Sequence, residues 1–306
     1  MKLTLLTLTS LLLAGPALAA SDELEQSLDK LKTITAQSDP AEVKKAAADT
    51  CGLARKVKAT PAAERDAGNW SKLLAFARDA ELYSEYALYA TAVKSEPPVT
   101  VDLMATLEQQ NPKSKYLDEG YAAYFAALRQ TDATAKIQGI AEKGIIALPE
   151  NEDILHFLAD AAMTKKQWDK AAAYAERLVA VLKKHPKPEA MAAADWAKKR
   201  SASLGAGYWM AGMVHSDKQQ YPQADEDLRA AVPLIQNNPA MLAPALFQLS
   251  LANYELGKLT MDRGRVLQGA EFAEKVAAMK TALAQQAWTN AHLMRQEATK
   301  MARGGR

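Results

Sequence analysis

Residues Asn151–Pro186 read NEDILHFLADAAMTKKQWDKAAAYAERLVAVLKKHP. Leu155, Leu158 and Ala162 recur at i, i+3 and i+7, one face of a helix. Ala171, Ala175 and Leu178 make a second stripe, and the spacing predicts a helical hairpin whose two stripes face each other. The pattern has a precursor upstream. Tyr124, Thr134, Ile137 and Gly144 each lie 34 residues before Leu158, Trp168, Ala171 and Leu178, with the same helical role. A fixed period of this length marks a helix–turn–helix unit stacked on copies of itself.

Working outward, helix formers dominate almost everywhere, and prolines fall at intervals. Residues 113–148, 150–185 and 189–221 contain none, and Pro112, Pro149, Pro186 and Pro188 mark the turns. No run alternates apolar and polar residues with the β-branched and aromatic content of a strand. The chain is therefore expected to be all-α.

The stretch 151–182 resembles a tetratricopeptide repeat (TPR). In that family the first helix carries a large apolar residue followed by a small one, here Leu158-Ala159. An aromatic opens the second helix, here Trp168, and a small residue follows three positions later, here Ala171. Closely packed helices need an alanine-sized residue where backbones approach and a bulky one to fill the adjacent hole. Residues 203–238 are similar, through Tyr208, Ala211-Gly212, His215, Tyr221, Ala224, Leu228 and Ala231. There Pro222 suits a first helical turn, and Pro233 is expected to end or kink the helix early. A third unit at 239–280 places Leu246, Leu249-Ser250, Asn253 and Gly257 in its first helix, with about eight extra residues around Leu259–Leu267 before Ala270 and Glu274. The spacing from Leu158 to Ala211 is also long, which suggests one extended first helix beginning near Glu189.

Asn111-Pro112-Lys113-Ser114-Lys115-Tyr116 resembles the inter-repeat turn of envelope TPR proteins, such as the barrel-assembly lipoproteins and cell-division coordinators of Gram-negative bacteria. Ser114 is expected to cap the next helix while Tyr116 packs beneath it. Residues 20–98 read as four or five helices of similar style, with an apolar stripe at Leu82, Tyr86, Tyr89 and Val93. The fold these features imply is an α–α superhelix of stacked TPR-like hairpins. It comprises an N-terminal helical region at 20–98, a repeat array at 99–282, and a capping helix with a frayed tail at 283–306.

Residues 1–19 read as a signal peptide. Lys2 starts it, Leu3–Ala14 is apolar, Gly15-Pro16 breaks it, and Ala17-Leu18-Ala19 fits a small-x-small cleavage site. The apolar stretch is shorter than the ~20 residues that span a bilayer, and no cysteine marks a lipoprotein cut. The mature chain is expected to be exported, periplasmic or secreted, and soluble. Its formal charge falls from +2 to +1 on losing Lys2, so no strong field recruits nucleic acid or acidic lipid. Cys51 is the single cysteine and is expected to be a small buried apolar residue.

Catalytic patterns are missing from the sequence: no zinc ligand spacing, no glycine-rich phosphate loop and no nucleophile elbow. No enzyme activity, metal or cofactor is expected. His156 and Asp160 sit at i, i+4, a spacing that can orient an imidazole but more commonly marks an exposed pair. The resemblance implies a concave face lined by Asp153, His156, Asp160, Met163 and Thr164 in one unit. The next unit would contribute Trp209, Met213, Ser216 and Asp217, and the third Phe247, Leu251, Tyr254 and Glu255. An apolar strip of Trp209, Met213, Phe247, Leu251 and Tyr254 would suit a protein or peptide partner. Two alternatives stand beside that one: the strip serves self-association in an assembly, or the chain's own long helices bury it. The packing reading is testable directly. Ala171→Leu or Ala224→Leu should each cost ~1–3 kcal/mol through overpacking; thermal melts unchanged in both variants would refute the repeat register.

Overall fold

The computed structural model describes residues 16–304 except 38, 61–66 and 189–190. Most of the expected signal segment, residues 1–15, lies outside the described residues. Thirteen α-helices and no strand occur among the described residues. They are α1 (Pro16–Gln37), α2 (Pro40–Ala59), α3 (Ala67–Ala92), α4 (Pro97–Gln110), α5 (Lys115–Gln130), α6 (Thr134–Ala147) and α7 (Glu152–Thr164). Then follow α8 (Trp168–Lys184), α9 (Ala193–Asp217), α10 (Tyr221–Ile235), α11 (Pro239–Thr260), α12 (Arg263–Ala277) and α13 (Ala284–Gly304). None is long and apolar enough to cross a membrane. The chain divides into two compact units, Met1–Ile137 and Gln138–Arg306, with the boundary inside α6.

In the first unit each helix packs on the next, and α1, α3 and α5 also touch in series, as do α2 and α4. Leu24 and Leu28 of α1, Ala54 and Val57 of α2, and Ala77 and Ala80 of α3 form one core cluster. The second unit repeats the scheme: α8, α10 and α12 each pack between neighbours, while α7, α9 and α11 touch in series. Leu155, Ala159, Ala175, Leu178, Met210 and Ala211 join α7, α8 and α9, so the two stripes read from the sequence do face each other. Each unit is thus a two-layer stack of helical hairpins, the arrangement of α–α superhelical repeat folds.

The turns inside the hairpins share one geometry. Asp132, Lys166 and Met261 have φ of 55° and Gln219 has 58°, all left-handed. The following N–H groups of Ala133, Gln167, Gln220 and Asp262 donate to Leu128, Ala162, His215 and Gly257 carbonyls at 2.8–2.9 Å. In three of these turns the left-handed residue itself also donates three residues back, Lys166 to Met163, Gln219 to Ser216 and Met261 to Lys258. These are Schellman closures, which satisfy the orphan carbonyls of a helix end. A side chain is strained in that conformation, yet all four connections, of two or three residues, hold a non-glycine residue in it.

Helix α9 is closely approached on both sides. A Cβ on Gly212 would stand 2.6 Å from Leu228 Cγ on α10, and one on Gly207 would stand 2.9 Å from Val179 on α8. Ser114 caps α5 by accepting from the Tyr116 and Leu117 amides at 3.2 and 3.4 Å, and Tyr116 is buried beneath the turn. Cys51 is buried, and its burial raises the thiol's pKa above its ordinary value.

Four expectations change. Residues 20–98 hold three long helices and the start of α4, not four or five, because Pro40, Pro61 and Pro97 leave α3 uninterrupted over 26 residues. The long first helix exists but starts at Ala193; residues 189–190 lie outside the described residues. Helix α10 runs through exposed Pro233, which has no N–H to bond the Arg229 carbonyl, and ends two residues later at Ile235. The extra residues of the third unit form no insertion: α11 is 22 residues long and connects through Met261-Asp262 directly to α12.

The shared turn geometry makes a prediction. Lys166→Gly and Gln219→Gly, both at exposed left-handed positions, should each raise unfolding free energy by about 0.5–1 kcal/mol, measured by urea denaturation.

Candidate protein-binding faces

In the second unit, the turns fix the repeat register. His156, Trp209 and Leu251 lie ten residues before the left-handed residue of their hairpin, and Asp160, Met213 and Glu255 lie six before it. These are the equivalent rows on the first helices α7, α9 and α11. Phe247 lies one turn earlier, outside the rows, and is only 7% exposed within the cluster of Leu228, Ile235, Leu246 and Val276. Tyr254 takes the place of Ala159 and Gly212, the position that faces the second helix. It packs against Val266, Ala270 and Met294, with Lys258 Nζ 4.5 Å from its ring centre. The sequence reading placed the third unit about one turn out because it inserted a loop where α11 simply continues.

Of the remaining strip, Trp209, Met213 and Leu251 are half-buried and packed on core clusters. Trp209 Nε1 donates to the Met241 carbonyl at 3.0 Å, and Ser216 donates to Gln248 at 2.7 Å, tying α9 to α11. His156 is half-buried and Asp160 exposed on α7. Much of the apolar row therefore serves contact between successive first helices. Leu259, which the sequence reading did not select, stands exposed at the end of α11.

Ion pairs complete the joints. Lys199 of α9 donates to Glu152 at 3.0 Å and to Asp153 at 2.8 Å on α7, and His185 Nδ1 stands 3.1 Å from Glu152 off hydrogen-bonding angle. Burial pushes the Asp153 carboxyl up despite Lys199. Burial opposes charge on Lys199, yet Asp153 and Glu152 outweigh it and hold the ammonium above its ordinary value. His215, buried on α9, pairs Nδ1 with Asp227 of α10 at 2.8 Å and places Nε2 3.3 Å from Glu176 of α8. Burial raises the Asp227 pKa in spite of the imidazole. Among the described residues, no group of three or more His, Cys, Asp or Glu converges as a metal site.

The first unit presents a different face. Helix α3 buries Ala77, Ala80, Ala87, Leu88 and Ala92 among its neighbours. One edge carries Leu82, Tyr86, Tyr89 and Val93 at i, i+4, i+7 and i+11, a strip about 16 Å long. Leu82 is 39%, Tyr86 36% and Val93 44% exposed. Rings continue the strip sideways: Tyr83 lies 5.7 Å from Tyr86, and Tyr116 of α5 lies 5.5 Å from Tyr86 and 5.8 Å from Tyr89. Burial raises the phenols of Tyr83 and Tyr116 above their ordinary value. The period-3.6 pattern made the strip visible in the sequence.

No protein-family model matches this chain, and no curated protein matches it either. The division of labour at Trp209 is checkable: Trp209→Phe should cost about 1 kcal/mol, the worth of one hydrogen bond, in a chemical melt.

Proposed function

We propose that this chain is an exported, non-enzymatic tetratricopeptide-type scaffold that binds a protein or peptide partner in the bacterial cell envelope through the faces of its first helices. Four features support the tetratricopeptide assignment. They are the Leu158-Ala159 and Ala211-Gly212 pairs, the aromatic openings at Trp168 and Tyr221, the repeated Schellman turns, and the Ser114-capped inter-repeat turn. The signal-like segment at 1–19 supports export.

The observation that carries the binding reading is the exposed strip of Leu82, Tyr86 and Val93 backed by Tyr83, Tyr89 and Tyr116. Aromatic and aliphatic anchors on a rigid helix lose little entropy when a partner docks, and they dominate interface energies. The Leu82, Tyr86 and Val93 side chains carry no charge and would select a partner mainly by apolar side chains, with Lys115 over Tyr116 the nearest cation to the strip's flank. Self-association through the same strip is the competing reading, and sedimentation of the purified chain separates the two: a stable oligomer that the strip substitutions dissolve would favour assembly.

The test is capture of partners from envelope extract by the full chain and by a Leu82→Ala/Tyr86→Ala variant. Retention should fall roughly tenfold or more in the variant, with native helix content kept by circular dichroism and only a modest fall in melting temperature, since Tyr86 also packs on Tyr83 and Tyr116. Binding should also survive a rise from about 0.1 M to about 1 M salt, which shortens the screening length from ~10 to ~3 Å. Equal capture by both proteins, or loss of binding in salt, would remove the strip from the account.

A further inference from the structure

Four hairpin turns share one backbone geometry, and one of them differs from the rest in chemistry. At the left-handed position stand Asp132, Lys166, Gln219 and Met261, and two residues earlier stand Gln130, Thr164, Asp217 and Leu259. The first three turns are polar at both places. The α11–α12 turn is apolar at both, with Met261 75% and Leu259 74% exposed. A left-handed site ordinarily favours glycine or asparagine, and an exposed turn favours polar side chains. Met261 satisfies neither preference, so the turn itself gives no reason for it.

Basic residues surround this pair. In the second unit the α7–α8, α9–α10 and α11–α12 turns lie along one edge of the stack: Lys218 Nζ stands 2.5 Å from Asp169, and Arg265 stands 4.0 Å from Asp225. Within four residues of Lys166, Gln219 and Met261 there are seven basic residues and three acidic ones, while the whole chain carries a formal charge of only +2. Some are paired, Lys218 with Asp169, Lys258 with Glu255 at 2.9 Å and Arg265 with Asp262 at 3.9 Å. Lys165, Lys166 and Lys170 are exposed and make no ion pair among the described residues, and Arg263 donates to the Ala298 carbonyl instead of a carboxylate. The nearby carboxylates outside those pairs are Asp217 and, across a narrow cleft from Lys165 and Lys170, Glu142.

We propose that this edge rests on an anionic phospholipid surface. Leu259 and Met261 enter the boundary between headgroups and acyl chains, while Lys165, Lys166, Lys170 and Arg263 meet lipid phosphates. A turn tip is convex and gives a folded partner little area to pack on, whereas a bilayer accepts two protruding aliphatic side chains without a matching pocket. Neither half suffices alone, since two side chains bury little area and exposed charges are screened by salt. Together they supply the two signals that peripheral attachment requires. The edge is a different surface from the α3 strip and does not depend on the function proposed above.

Cosedimentation of the full chain with vesicles is the test, using phosphatidylcholine alone and phosphatidylcholine mixed with phosphatidylglycerol. The native chain should bind the mixed vesicles and leave the neutral ones largely bare. Leu259→Gln/Met261→Asn should lower that binding roughly tenfold with native helix content, because asparagine tolerates the left-handed turn. Lys165→Gln/Lys166→Gln should lower it by about as much, while Leu82→Ala/Tyr86→Ala binds as the native chain does. A polarity-sensitive dye on Met261→Cys gives a local readout, since Cys51 is buried. Its emission should shift to the blue with mixed vesicles only, and the same dye on Leu82→Cys should not respond. No shift at position 261, an equal shift with neutral vesicles, or binding kept by both turn variants would each overturn the proposal.

Discussion

The second unit depends on close backbone approach, and the contacts of α9 with its neighbours show it. Gly212 has no side chain where Leu228 of α10 arrives, and Gly207 has none where Val179 of α8 arrives. With the backbones this near, Ala211, Leu178 and Ala175 on one side and Ala224, Leu228 and Ala231 on the other lie fully buried or nearly so. A methyl group in either gap has no room unless a neighbouring helix shifts, and interiors packed at crystal density give little. Because α9 also touches α7 and α11, a shift at one hairpin is passed to the next.

Polar groups then fix which helix meets which. Lys199 reaches two carboxylates of α7, and His215 stands between carboxylates of α8 and α10. Arg229 of α10 gathers Asp225, Asn253 of α11 and Gln268 of α12. Buried or half-buried charges gain little net free energy against an apolar core, but a wrong register would leave each of them unpaired, which is costly. The apolar contacts supply the attraction and the ionic ties select the alignment. This also accounts for the contents of the α7, α9 and α11 faces: Trp209 and Ser216 are engaged in joining first helices, leaving mostly isolated exposed groups such as Asp160.

The exposed apolar surface is accordingly found elsewhere. On α3 it is a strip of rings and aliphatic side chains along one helix edge, with the Lys115 ammonium over the Tyr116 ring at its side. At the α11–α12 turn it is the pair Leu259 and Met261. Both are surfaces that local stacking leaves over, as repeat architectures do when each element contacts only its neighbours.

The hairpin itself was legible in the sequence. Leu158-Ala159, Trp168, Ala171 and the capping Ser114 are short-range patterns, and each occupies the place its spacing indicates because helix periodicity alone decides which residues share a face. Phe247 and Tyr254 were misplaced for a different reason. Where a helix outgrows its repeat, as α11 does, composition cannot say whether the surplus is a loop or more helix; the left-handed Met261 at the turn settles it only once the backbone is folded. Pro233 likewise reads as a break until its nearness to the helix end and its exposure are known. The sequence by itself determined an all-helical chain of paired helices, since periodicity and proline spacing are local properties. Which apolar side chains remained uncovered was decided only by the tertiary structure, because exposure at Tyr86 or burial at Phe247 depends on neighbours that lie far away along the chain.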